Sequence, residues 1–236
     1  MTKIFFAPAL GVLLCLAPGC SPAPEESPPE KRAHGESSPQ VPGDHFYRLD
    51  PEEVTVKDFP AQGYILDIGG GGEGIIGRLK GEQTIAIDIS KAELEASPAG
   101  PLKIIMDARD LQFLDSTFNT ATSFFTFMYI DAGDHERVFR EISRVLAPGG
   151  KFLVWDVLYP ARHDTTKDIA LVPLTVKLPD REINTVYGGA WPDEGRELSH
   201  YVTLAENTGF EIATTEVNGR VFFLELGKQT SAPLGK

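Results

Sequence analysis

A chain of 236 residues that is 42% apolar can bury one good core and suits a single domain. Its 34 acidic residues outweigh 22 basic ones, for a net charge of −12. Nucleic-acid binding relies on Lys and Arg neutralising phosphates, so this balance argues against nucleic acid, and equally against an anionic membrane surface, as partner of the folded part.

The first twenty residues stand apart. Lys3 precedes an almost unbroken apolar run, Ile4 to Ala17, which ends at Pro18-Gly19-Cys20. The run is short for a bilayer span and has the proportions of a secretory signal. The segment LAPGC resembles a bacterial lipoprotein signal, with Ala17 standing where that family more often has Leu. The resemblance makes Cys20 the lipidated residue and the new N-terminus. The alternative is an uncleaved N-terminal anchor, and either way residues 1–20 tether the chain to a membrane. Cys15 would leave with the signal, so the folded part holds no cysteine and no disulfide. Residues 21–44 contain six prolines and almost no large apolar side chains. Such a stretch cannot offset its ordering entropy and reads as a disordered spacer. The folded domain is expected over residues 45–230, with a flexible tail at 231–236.

Residues 45–60 read as a leading turn or short helix. Residues 64–88 then read as strand, glycine turn, helix, strand and acid. Tyr64 to Ile68 is an apolar run holding Asp67, Gly69 to Gly72 make the turn, and Ile75, Ile76 and Leu79 recur at helical spacing. Thr84 to Ile87 ends in Asp88. Glycines leave the backbone open to close approach and to positive φ, and a carboxylate at the tip of the neighbouring strand can accept both ribose hydroxyls. The unit suits a nucleoside-containing cofactor. Gly69, Gly71 and Gly74 satisfy the G-x-G-x-x-G of an NAD(P) site. The stretch LDIGGGG also resembles motif I of the class I S-adenosylmethionine (SAM)-dependent methyltransferases, with Asp67 at the acidic position. The third glycine of that family falls at Glu73 here, a departure.

Further along, Ser90 to Ser97 reads as one or two helical turns and Lys103 to Met106 as a strand. Asp107-Ala108 at its tip resembles the family's adenine-binding pair, with a simple turn cap as the alternative for Asp107. Thr120 to Phe127 is a Thr- and Phe-rich strand. Glu136 to Leu146 carries Val138, Phe139, Ile142, Val145 and Leu146 on one helical face. RVLAPGGKFLVWD is close to a family signature in which a helix ends in a Pro-Gly-Gly turn feeding the fifth strand. Residues 161–195 form a long insertion of the kind that makes lids or binding loops. Arg196 to Thr208 is helical, and two last strands are joined by Asn218-Gly219, a strong hairpin signal. The resemblance therefore implies an α/β, Rossmann-like class I methyltransferase fold, a seven-stranded mostly parallel sheet ending in an antiparallel hairpin.

It implies SAM as cofactor, held by Asp67, Gly69 and Gly71 at the methionine end and turn, Asp88 at the ribose, and Asp107 and Ala108 at the adenine. Methyl transfer is an in-line displacement at carbon, so alignment and exclusion of water matter more than unusual reactivity. Catalytic candidates are Tyr129, after the fourth strand, and His135, opening a helix, where a solvated histidine without a catalytic role is the plainer alternative. No Cys/His grouping suggests a metal. The expected function is a membrane-tethered methyltransferase acting on a small molecule, in the cell envelope or on the cytosolic face of a membrane. A non-catalytic SAM- or nucleoside-binding lipoprotein and an NAD(P)-dependent oxidoreductase are the alternatives.

Overall fold

The computed structural model describes residues 45–230. Two short strands come first, β1 (Phe46–Arg48) and β2 (Glu52–Thr55). β3 (Ile65–Ile68) leads through the glycine turn into α1 (Ile75–Lys80), and β4 (Thr84–Asp88) leads into α2 (Lys91–Ala96). β5 (Leu102–Ile105) and β6 (Phe118–Phe124) precede α3 (His135–Val145) and β7 (Leu146–Val157). β8 (Ile169–Lys177) and β9 (Glu182–Ala190) come before α4 (Leu198–Asn207), β10 (Phe210–Asn218) and β11 (Val221–Lys228).

The main sheet has the order β10-β11-β7-β6-β3-β4-β5. β5, β4, β3, β6 and β7 are parallel to one another, and β11 runs antiparallel to both β7 and β10. The seven strands and the closing hairpin match the expected fold. All four residues of β3 are buried, as befits a central strand covered on both faces. In β7 side chains alternate between the two sides. Phe152 and Val154 join the core under α3 and α4, whereas Leu153, Trp155 and Val157 join the core on the opposite face. On α3, Val138, Phe139, Ile142 and Val145 are fully buried, one apolar stripe at helical spacing.

The opposite face departs from the sequence reading. Residues 45–60 are not a turn or short helix; they form β1 and β2, which both pair in parallel with β8. The insertion at 161–195 supplies β8 and β9, an antiparallel pair. Because β9 pairs along the whole of β8, β1 and β2 share the other edge of β8, β1 against Ile169 to Leu171 and β2 against Leu174 to Lys177. Pro173, which has no N–H to donate, falls in the gap between them. Val54, Val172, Leu174 and Val176 pack with Leu153 and Trp155. A small second sheet thus covers this face, with α1 contributing Ile75 and Ile76. The local pattern misled because the partner of β1 and β2 lies more than a hundred residues away.

No helix among the described residues is long and apolar enough to cross a membrane. The proposed lipidation at Cys20, the signal at 1–20, the spacer at 21–44 and the tail at 231–236 all lie outside the described residues.

Candidate cofactor and acceptor site

A cavity of about 740 Å³ opens at the carboxyl ends of β3, β4, β5 and β6, the edge where open α/β sheets bind ligands. Its floor is the glycine turn. Gly69 has φ +69°, and a Cβ there would lie 2.4 Å from Thr126 Oγ1. Thr126 is held in place by donating to the Ile68 carbonyl at 2.8 Å. A Cβ on Gly71 would lie 2.5 Å from the Glu93 side chain and 2.8 Å from Asp88 Oδ2. The turn needs bare backbone because its own neighbours crowd it, a reason additional to the ligand approach expected from sequence.

The acids expected to hold the cofactor converge on this cavity. Asp67, Gly69, Gly71, Asp88, Asp107 and Ala108 all line it. Asp67 is buried beneath the turn, where Thr122 Oγ1 of β6 donates to its Oδ1 at 2.7 Å. Burial pushes its pKa up to about 7, the Thr122 bond opposes that rise, and the charge of Asp88 adds to it. Asp88 Oδ1 accepts from the Ser90 N–H at 2.8 Å, which leaves Oδ2 beside Gly71. Asp107 lines the cavity and also caps the next turn, accepting from the Arg109 N–H at 2.9 Å. The Arg109 guanidinium, which also reaches Asp134 Oδ2 at 2.8 Å, holds the Asp107 carboxyl below the usual range despite some desolvation.

The catalytic candidates separate. Tyr129 lines the cavity and is 55% exposed. His135 does not line it and is neither a solvated helix-start residue nor placed as a base: it is fully buried. Its Nε2 faces two carbonyls, Ile130 O at 2.9 Å and Phe127 O at 3.1 Å, so that nitrogen carries the proton. Its Nδ1 lies 2.9 Å from His200 Nε2, from which the bare nitrogen accepts. Burial, assisted by the Arg196 charge, drops its pKa to about 4. A neutral ring with both nitrogens engaged holds the post-β6 turn in place. Asp156 serves the same turn: fully buried, it accepts from the Phe127 N–H at 2.8 Å, and burial raises its pKa to about 7.

The insertion at 161–195, expected as a lid or binding loop, supplies the opposite wall, whose individual residues the sequence did not single out. β9 contributes Val186, Tyr187 and Gly188 to the cavity, beside Phe124, Phe125 and Thr126 from the end of β6. Phe125 takes φ +51°, an unusual conformation for an aromatic residue. Glu73, the departure from the family's glycine pattern, lines the cavity and accepts a short hydrogen bond from Thr185 Oγ1 of β9. That departure and the length of the insertion are the two signals of this wall visible in the sequence.

Residues 66–154 match the family described as "Methyltransferase domain". A stretch of 61 residues is 39% identical to a sterol 4-C-methyltransferase of Caenorhabditis elegans, covering 26% of this chain and only 18% of that protein. Among solved structures, a SAM-dependent methyltransferase of Methanosarcina mazei is 19% identical with a TM-score of 0.53, over 72% of this chain and 94% of that one. One from Mesorhizobium loti is 17% identical with a TM-score of 0.52, over 72% and 93% of the two chains. The fold is that of the class I methyltransferases. Residues 66–154 thus resemble a methyltransferase domain, and the solved structures share its fold. The cavity has the features expected for SAM: the bare turn, the free oxygen of Asp88 and the Asp107-Ala108 pair surround one space.

The two raised carboxyls make stability depend on pH. A carboxyl whose folded pKa exceeds its unfolded value stabilises the fold fully at pH below the unfolded value, and this is lost as pH rises through the folded pKa. For Asp67 and Asp156 the window runs from 3.8 to about 7. The urea midpoint should fall between pH 5 and pH 8, and by less in Asp67→Asn. An equal fall in both proteins would show that Asp67 does not titrate in this range.

Proposed function

We propose that the protein is a SAM-dependent methyltransferase that acts on a small molecule while tethered to a membrane by its N-terminus. The observation that carries this reading is the cavity shared by the glycine turn and the three strand-tip acids. At about 740 Å³ it falls within the roughly 300–1,000 Å³ of small-molecule sites. In the bound state SAM supplies the electrophilic methyl group and a sulfonium leaving group. The residues of this chain bind and orient. Asp88 would accept the ribose hydroxyls, Asp107 would accept the adenine amino group, and the wall from β9 would limit water around the reacting atoms. No general base is assigned; one is needed only where no other route removes a proton from the accepting atom.

Calorimetry with SAM and with NAD tests this directly. The expected result is a SAM isotherm and none with NAD; NAD binding without SAM binding would overturn the reading in favour of an oxidoreductase. The tether rests on the LAPGC segment ending at Cys20. Cells fed a fatty-acid analogue should label the wild-type protein and not Cys20→Ser. An unlabelled wild type would discard lipidation and leave an uncleaved anchor.

A further inference from the structure

Glu73 stands where the methyltransferase pattern has a glycine, and its carboxylate points across the cavity to β9 instead of into solvent. Thr185 Oγ1 donates to its Oε1, and Tyr187 lines the same cavity. Thr185 and Tyr187 are two apart on one strand, so both side chains leave the same face of β9. The Tyr187 ring stacks on Phe125, with centroids 5.3 Å apart and planes 25° from parallel. Phe125 is itself buried and held at φ +51°. Tyr129 lines the same cavity. A carboxylate and two tyrosine rings, one of them fixed by stacking, therefore face the space beside the cofactor turn.

The charges around them have one sign. Among the described residues, Arg109 is the single basic side chain lining the cavity, and it is already paired with Asp107 and Asp134. Glu73, Glu93 and Asp131 line the cavity with no Lys, Arg or His ion-pair partner among the described residues. An anionic acceptor would be repelled here. A cation meets both a carboxylate and aromatic faces, the two kinds of group that hold ammonium ions.

We propose that the methyl acceptor is an amine, bound as its ammonium ion against Glu73 and the Tyr187 and Tyr129 rings. The inference rests on the methyltransferase reading of the same cavity. In the reaction the ammonium first releases one proton to water. The freed nitrogen lone pair forms the N–C bond to the methyl group of SAM, and the C–S bond breaks with its electron pair passing to sulfur. The products are the methylated ammonium and neutral S-adenosylhomocysteine. Glu73 binds the acceptor, and Phe125 positions the Tyr187 ring.

The test is calorimetry on the full chain. SAM is titrated first, to check the cofactor site. The S-adenosylhomocysteine complex is then titrated with choline, a cationic probe, and with its uncharged isostere 3,3-dimethylbutan-1-ol. The expected result is SAM binding, a choline affinity at least about tenfold above that of the isostere, and loss of most of that preference in Glu73→Gln. Tyr187→Leu, which removes the ring and leaves the carboxylate, should also reduce the preference, and it decides the matter if Glu73→Gln fails to fold. SAM binding with equal affinity for the two probes overturns the amine inference alone. Failure to bind SAM overturns the underlying reading as well. Tritiated methyl transfer from SAM to amines, and not to alcohols or phenols on the same carbon skeletons, is the matching turnover result; preferential transfer to oxygen would sink the proposal.

Discussion

Gly69→Val should weaken SAM binding by about 30- to 1,000-fold, a loss of roughly 2–4 kcal/mol from backbone strain and a lost hydrogen bond. The native φ of +69° is poorly tolerated by a β-branched residue, and the new Cβ would lie within 2.4 Å of Thr126 Oγ1. Either the turn leaves its conformation or Thr126 swings away and gives up its bond to the Ile68 carbonyl. Both movements disturb the floor of the cavity. Gly63→Val is the control. Its φ of +70° is nearly the same, but nothing lies within 4 Å of an added Cβ, and it is outside the cavity. That variant should lose stability while its affinity for SAM, measured by calorimetry, stays unchanged. Equal losses of affinity in the two variants would mean that general destabilisation, not the local clash, weakens binding.

Phe139→Ala should lower stability by about 3–5 kcal/mol, the usual result of emptying a large aromatic site in a close-packed core. The ring is fully buried, and its neighbours are the rings of Phe127 at 5.1 Å, Phe152 at 5.6 Å and Phe210 at 6.3 Å. Those rings belong to the post-β6 turn, β7 and β10, so the cavity left behind is walled by separate elements and collapses only in part. Against a typical total of about 5–15 kcal/mol, the loss would leave a marginal fold. Arg140→Ala, one residue along the same helix, removes an exposed pair with Glu136 and should change the urea midpoint little. A small effect of Phe139→Ala would show that α3 is not packed on the sheet as described.

Legibility in the sequence followed the range of the interactions involved. The glycine turn, Asp67 and Asp88 could be read because strand, turn and helix are neighbours in the chain, and each writes its own period or its own glycines. The closing hairpin could be read for the same reason, with Gly219 taking φ +59° at the turn. Val138, Phe139, Ile142 and Val145 announced the buried face of α3 by spacing alone. What could not be read depends on partners far away in sequence. Nothing near Glu52 to Thr55 says that Leu174 to Lys177 will pair with it. His135 looked like a surface histidine until Phe127, Ile130 and His200 closed around it. Glu73 registered only as an irregularity in a motif, because its partner Thr185 sits in an insertion that no local pattern ties to the turn.

The shared edge of β8 also sets a timetable for biosynthesis. β2 ends at Thr55 and its partner begins at Ile169, so during translation at about 5–20 residues per second the early strands wait roughly 6–23 seconds for a mate. Through that interval Val54 and Val56, both buried in the finished domain, stay uncovered on a nascent chain. A holdase acting on the emerging polypeptide would find its client there, between the ribosome and the first closed core.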